Sequence, residues 1–173
     1  MHAGPFWIGP PWEEPPAGTR AIVIDPGRAF GTGAHPTTRL CVELVAALAP
    51  ESLLDVGCGS GVIAIAAALA GAHVLAVDVD PAAIDATERN ARANGVAVDA
   101  RELDALADPL PPADAVVANV SLEVVEALLP RVDAPLVVAS GYLVHDEPHA
   151  HRFRRRERRT LDGWAADVFE RAQ

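Results

Sequence analysis

From Ser52 onward the apolar and polar positions alternate between two periods. Short apolar runs at 52–56, 73–78, 96–100, 114–118 and 136–139 have the length of buried strands. Between them, 61–70, 81–94 and 122–129 carry apolar residues at helical spacing, with Asp80-Pro81 opening the second and Gly95 closing it. Upstream, Pro36 takes a first helical position, Leu40, Cys41, Leu44, Val45 and Leu48 recur on one face, and Pro50 stops the helix. Before it, a short strand at 20–24 runs into the turn signal Asp25-Pro26-Gly27. Strands and helices in this succession predict an α/β fold built on a parallel sheet with helices on both faces. The segment Val62–Leu69 is apolar all round, which predicts a helix buried against that sheet.

Both ends of the chain depart from this rhythm. Arg152–Leu161 and Trp164–Glu170 flank Asp162-Gly163, a strong two-residue hairpin signal, so an antiparallel hairpin is expected to close the sheet. Residues 1–19 are rich in Pro and Gly and carry Trp7 and Trp12, which predicts an extended arm laid on a single domain formed by 20–173.

Composition narrows the classes. With 173 residues, half of them apolar, the chain is long enough for one buried core and is not disordered. No apolar run approaches the roughly 20 residues of a membrane span, and no basic-then-apolar leader opens the chain, so no membrane association and a cytoplasmic location are expected. The net charge is −10 and every one of the 14 basic residues is Arg. Bulk attraction to nucleic acid is therefore disfavoured, and a basic protein partner is favoured. Six arginines lie between Arg152 and Arg159, a pattern that suits a charge-protected edge strand better than a docking patch. Cys41 and Cys58 are too few for a disulfide framework and read as small buried side chains. His145, His149 and His151 lack the Cys or carboxylate companions of a zinc site, so no metal is expected.

The chemistry concentrates in Leu-Asp-Val-Gly-Cys-Gly-Ser-Gly, residues 54–61. An apolar strand that breaks into Gly57, Gly59 and Gly61 and then opens a helix lets backbone approach a ligand, and helix-opening N–H groups favour an anionic or electronegative group. Asp78, at the end of the next strand, then stands where a carboxylate meets a ribose diol. The spacing is tighter than the dinucleotide pattern, and Asp55 just before it suits a ligand carrying an ammonium rather than a pyrophosphate. This turn resembles motif I of the Rossmann-like S-adenosylmethionine methyltransferases.

Three further segments narrow the resemblance. Trp7-Ile8 with Trp12-Glu13 and Pro15-Pro16, then the stretch Asp25-Pro26-Gly27-Arg28-Ala29-Phe30-Gly31-Thr32-Gly33-Ala34-His35-Pro36-Thr37-Thr38, resemble the entry to the catalytic domain of the PrmA family. Val116-Val117-Ala118-Asn119-Val120 resembles its motif IV. The resemblance implies a class I methyltransferase with a mostly parallel seven-stranded sheet and a C-terminal antiparallel hairpin. It implies S-adenosylmethionine as cofactor and transfer of methyl groups to lysine side chains and the N-terminal amine of a ribosomal large-subunit protein. It also implies that Thr38, Gly57, Asp78 and Asn119 contact the cofactor while Phe30, Gly31 and Thr32 fold over it. Phe30 would present an aromatic face to the sulfonium. Glu102 and Leu103, with Asp104 as an equal candidate, follow the third strand and are expected to frame the adenine.

Methyl transfer is an in-line displacement that needs a neutral, aligned nucleophile. Carbonyl and amide oxygens at Asn119 and Val120 are the expected holders of an acceptor amine. His35 is a candidate general base or a helix-entry residue, and Tyr142 a candidate wall of the acceptor pocket. Three departures from the family stand out. The family has a separate N-terminal domain that presents the substrate protein, whereas this chain begins almost at the catalytic domain. Asn119-Val120-Ser121 stands where the family has Asn-Ile-Leu, and 142–151 is short for a crossover helix. A methyltransferase for a small metabolite or a non-ribosomal protein, and a non-catalytic cofactor-binding subunit, therefore remain as alternatives. A nicotinamide-dependent oxidoreductase is disfavoured by the tight glycine spacing and the hairpin tail.

Overall fold

The computed structural model describes residues 1–25 and 33–172. In chain order its elements are β1 (His2–Ala3), β2 (Phe6–Gly9), β3 (Arg20–Val23), α1 (Pro36–Leu48), β4 (Ser52–Val56), α2 (Val62–Leu69) and β5 (His73–Asp78). There follow α3 (Pro81–Ala93), β6 (Asp99–Glu102), β7 (Ala115–Asn119), α4 (Leu122–Leu128) with a 3₁₀ turn at Leu129–Arg131, β8 (Leu136–Leu143), β9 (Phe153–Leu161) and β10 (Trp164–Arg171).

Seven strands form one sheet in the order β6-β5-β4-β7-β8-β10-β9. The first five run parallel, and β10 inserts antiparallel between β8 and β9. The predicted hairpin turn holds, with Asp162 and Gly163 both at positive φ (49° and 82°), as the tight two-residue turn requires. Helices α1, α2 and α3 cover one face around Leu44, Leu53 and Ile65, and α4 with its 3₁₀ turn covers the other around Leu54, Leu128 and Phe169. β9 lies at the edge, where its arginines pair with neighbours, Arg155 with Glu147 (2.5 Å) and Arg159 with Glu157 (2.6 Å) among them.

Three boundaries differ from the sequence reading for local reasons. The third strand begins at Asp99 rather than Val96, because the Val96 N–H is held by Ala91 O as α3 unwinds. β8 runs on to Leu143 instead of stopping at Ala139, since the hairpin strand β10 supplies partners along its whole length. Residues 2–9 of the Pro/Gly-rich arm form strands: β1 and β2 pair antiparallel, and β2 pairs in parallel with β3. Phe6 and Ile8 sink into the core beside α1, and the Arg20 guanidinium sits 5.0 Å from the Phe6 ring while donating to Leu69 O (2.5 Å). Each strand is too short for periodicity to reveal it. Between β8 and β9 no helix forms, in keeping with the short 142–151 segment.

Candidate functional site

Where β4 ends, the chain must turn into α2 within a few residues while passing close to the β7–α4 connection. Glycine is needed here. Gly57, Gly59 and Gly61 have φ of 73°, 54° and 81°. A Cβ on Gly57 would stand 2.7 Å from Val120 Cγ1, and one on Gly61 would stand 2.9 Å from Thr87. The Gly57 and Cys58 N–H groups both donate to Val77 O (2.9 and 3.1 Å), which ties the loop to the end of β5.

Above this loop lies a cleft of about 690 Å³ at the C-terminal ends of β4, β5 and β7. That is where the strand order reverses and where ligands of open α/β sheets bind. One wall carries Val79, Leu103, Asp104 and Leu106. Val79 is 63% exposed and Leu106 40%, so two large apolar side chains meet water at its rim. The other wall carries His35, Thr38, Asn119, Val120, Gly141 and Trp164.

Asp78 is fixed at the centre. Its Oδ2 accepts the Gly59 N–H (3.1 Å) and its Oδ1 the Asp80 N–H (3.0 Å), so the carboxylate is aimed before any ligand arrives. Across the cleft, Asn119 Nδ2 donates to Thr38 Oγ1 (3.3 Å), and its Oδ1 is buried with no hydrogen-bond partner among the described residues. A buried amide oxygen left this way favours a donor supplied by a ligand. The Val120 N–H is taken by Ser140 O (3.0 Å), which holds the 119–121 turn against β8.

Other candidates fall differently. His35 is the N-cap of α1: its Nδ1 lies 2.7 Å from Thr37 Oγ1 and accepts the Thr37 N–H, and its ring packs edge-on against Trp164 at 4.6 Å. Asp55 is 1% exposed and lies beneath the cleft, outside its walls, where Oδ2 accepts the Ala64 N–H (3.1 Å) in the first turns of α2. Burial pushes its carboxyl up to about 7, against the pull of that N–H. Through that bond it supports the start of the helix that follows the glycine loop. Glu102 is exposed and outside the cleft walls, whereas Leu103 and Asp104 are in them. Phe30, Gly31 and Thr32 lie outside the described residues.

Tyr142 is not a pocket wall. A bulge in the pairing of β8 with β10, at Gly141, shifts the phase of β8, and Tyr142 points into the core on the α4 side at 2% exposure. Its hydroxyl sits 2.9 Å from both Ala139 O and Asp167 Oδ2, and burial pushes its pKa upward. Gly141 and Trp164 are among the cleft residues absent from the sequence-based expectations. A Cβ on Gly141 (φ 105°) would lie 1.9 Å from Val120 O, so only glycine lets β8 pass the 119–121 turn this closely. The signal was present as an isolated glycine inside an apolar strand. Trp164 gave none, since its place beside His35 depends on the hairpin docking.

Cys41 and Cys58 are free and buried, and burial pushes the Cys58 thiol up to about 12. Among the described residues no group of three or more His, Cys, Asp and Glu side chains is arranged to hold a metal ion, and no helix is long and apolar enough to cross a membrane.

A parallel sheet reversing at β4, a glycine loop with a carboxylate opposite, and a terminal antiparallel hairpin together define the Rossmann-like class I methyltransferase fold. An RNA methyltransferase from Salinibacter ruber, solved in complex with S-adenosyl-L-homocysteine, shares that fold at TM-score 0.65 and 24% identity, covering 80% of this chain and 95% of its own. The model of the family "Ribosomal protein L11 methyltransferase (PrmA)" matches residues 1–146, and the chain belongs to that family. The ribosomal protein L11 methyltransferase of Azotobacter vinelandii is 46% identical over 143 residues, covering 80% of this chain and 49% of its own length. A solved ribosomal protein L11 methylase from Lactobacillus delbrueckii superposes at TM-score 0.87 with 31% identity, covering 98% of this chain and 96% of its own. The chain spans about half the length of the curated relatives it matches.

Proposed function

We propose that this chain is an S-adenosylmethionine-dependent N-methyltransferase acting on protein amines, with a ribosomal large-subunit protein as the substrate class. The observation that carries this reading is the Asp78 carboxylate, held by the Gly59 N–H in the floor of an apolar-walled cleft. The residues fit the cofactor. Asp78 retains acceptor capacity for two ribose hydroxyls, Val79, Leu103 and Leu106 offer apolar surface to a base, and the orphaned Asn119 Oδ1 awaits a donor. The cofactor supplies an electrophilic methyl group on a sulfonium; this chain's residues bind, align and desolvate.

On the acceptor side Asn119 and Val120 hold the amine. A lysine ammonium has an unperturbed pKa of roughly 10.4, so the pocket must favour its neutral form, and the apolar surfaces of Val120, Val124 and Trp164 do so by excluding water. The Thr38–Asn119 bond fixes which end of the amide faces the cleft, with the oxygen kept for an N–H donor. His35, engaged with Thr37 and Trp164, serves as a cap and a wall.

The test is methyl transfer from labelled S-adenosylmethionine to isolated ribosomal large-subunit proteins. Label entering a protein amine is the expected result, and label entering only small molecules, or nothing, overturns the reading.

A further inference from the structure

The glycine loop must keep one shape to aim its N–H groups, and a loop this tight lies outside any regular ladder that would pair its carbonyls. Buried carbonyls need partners. Cys58 O is taken by the Gly61 N–H within the loop, while Gly59 O and Ser60 O are reached from α3, whose buried face is otherwise Ala83, Ala86 and Ala91. Two polar side chains interrupt that face, Thr87 (fully buried) and Asn90 (3% exposed), three residues apart and therefore on one side of the helix.

Each reaches a different carbonyl of the loop. Thr87 Oγ1 lies 3.2 Å from Gly59 O and 3.3 Å from Cys58 Sγ, sharing its one proton, while its side chain fills the space a Cβ on Gly61 would need. Asn90 Nδ2 donates to Ser60 O (2.8 Å), and its Oδ1 accepts the Asp25 N–H (3.1 Å) at the end of the β3 segment. With the Gly59 carbonyl drawn back to α3, trans peptide geometry turns the Ser60 N–H away from that helix. The N–H of the same Gly59 reaches Asp78 Oδ2, so the chain of contacts runs from Thr87 through Gly59 to the carboxylate in the cleft.

We infer that Thr87 and Asn90 are positioning residues for cofactor binding, holding the glycine loop and, through Gly59, the Asp78 carboxylate in their binding geometry from behind. The inference rests on the cofactor reading above. Neither residue lines the cleft, so their effect on affinity is indirect. Apolar residues at these two positions of the alanine face would lack the donors that Thr87 and Asn90 supply to Gly59 O and Ser60 O.

The test is calorimetric titration of S-adenosylhomocysteine into native protein, Thr87→Val, Thr87→Ser and Asn90→Leu, with thermal midpoints measured in parallel. Native protein that does not bind overturns the cofactor reading itself. Given native binding, Thr87→Val is expected to weaken the affinity about 5- to 10-fold, the loss of one hydrogen bond's worth of loop order. Thr87→Ser, which keeps the hydroxyl, is expected to stay within about twofold of native. In turnover, the KM for the methyl donor rises in Thr87→Val and Asn90→Leu while kcat at saturation is kept. Affinities of Thr87→Val and Asn90→Leu within twofold of native, or a serine variant as weak as the valine one, overturn the positioning role. If either variant fails to fold, Thr87→Ala is titrated in its place against the same thresholds.

Discussion

Gly141→Ala is expected to cost about 2–5 kcal/mol of stability and to abolish methyl transfer, through combined backbone strain and overpacking. The methyl group would meet Val120 O at 1.9 Å, Val120 C at 2.6 Å and Val120 N at 3.0 Å, all backbone atoms with no flexible end to move aside. The residue is also at φ 105°, outside the regions an L side chain adopts readily. Relief requires the 119–121 turn to leave β8, which breaks the Val120 N–H to Ser140 O bond and displaces Asn119 from Thr38. Urea unfolding and a methyl-transfer assay check this. A variant with native stability and activity would mean that the bulge relaxes without moving the 119–121 turn.

The second large effect lies behind the site. Asp167, fully buried in β10, accepts two bonds from Arg158 (Nε to Oδ1 and Nη2 to Oδ2, both 2.8 Å) and faces the Tyr142 hydroxyl. Arg158 in turn donates to Val144 O (3.2 Å), Asp146 O (2.9 Å) and Glu147 (3.1 Å), so one guanidinium ties the β8–β9 connection to the sheet. Asp167→Ala leaves that cation and the tyrosine hydroxyl without their buried partner, at an expected cost of about 3–5 kcal/mol. Removing both partners is expected to be milder, because Asp167→Ala leaves Arg158 with only the exposed Glu147 as counter-charge, and the destabilisation comes from that poorly compensated charge rather than from a lost net attraction. Asp167→Leu with Arg158→Leu should therefore recover most of the loss in urea unfolding, and a double variant no more stable than Asp167→Ala would contradict this account. Hydrogen exchange at 144–147 should rise in Asp167→Ala.

The sheet and its hairpin were legible because each strand and helix carries its own signal. Gly57 and Asp78 fall 21 residues apart with a helix and a strand between them, and Asp162-Gly163 names its own turn. Residues whose role depends on a distant partner were not. Trp164 becomes a cleft wall only once β10 docks on β8, and the bond from the Ala64 N–H to Asp55 depends on how α2 folds back over β4. Tyr142 reads as a residue beyond a strand that ends at Ala139, but β8 runs on to Leu143 and the bulge at Gly141 turns Tyr142 into the core. Val79 and Leu106 escaped notice because exposed apolar residues are common singly, and only the cleft brings these two to one rim.

Whether the cleft binds a nucleoside through Asp78 is measured directly by the affinity of S-adenosylmethionine for native protein and for Asp78→Ala. Loss of charge-assisted hydrogen bonds to the ribose should weaken binding by about 1.5–3 kcal/mol. Native protein that binds, together with an alanine variant that binds equally well, would contradict the assignment.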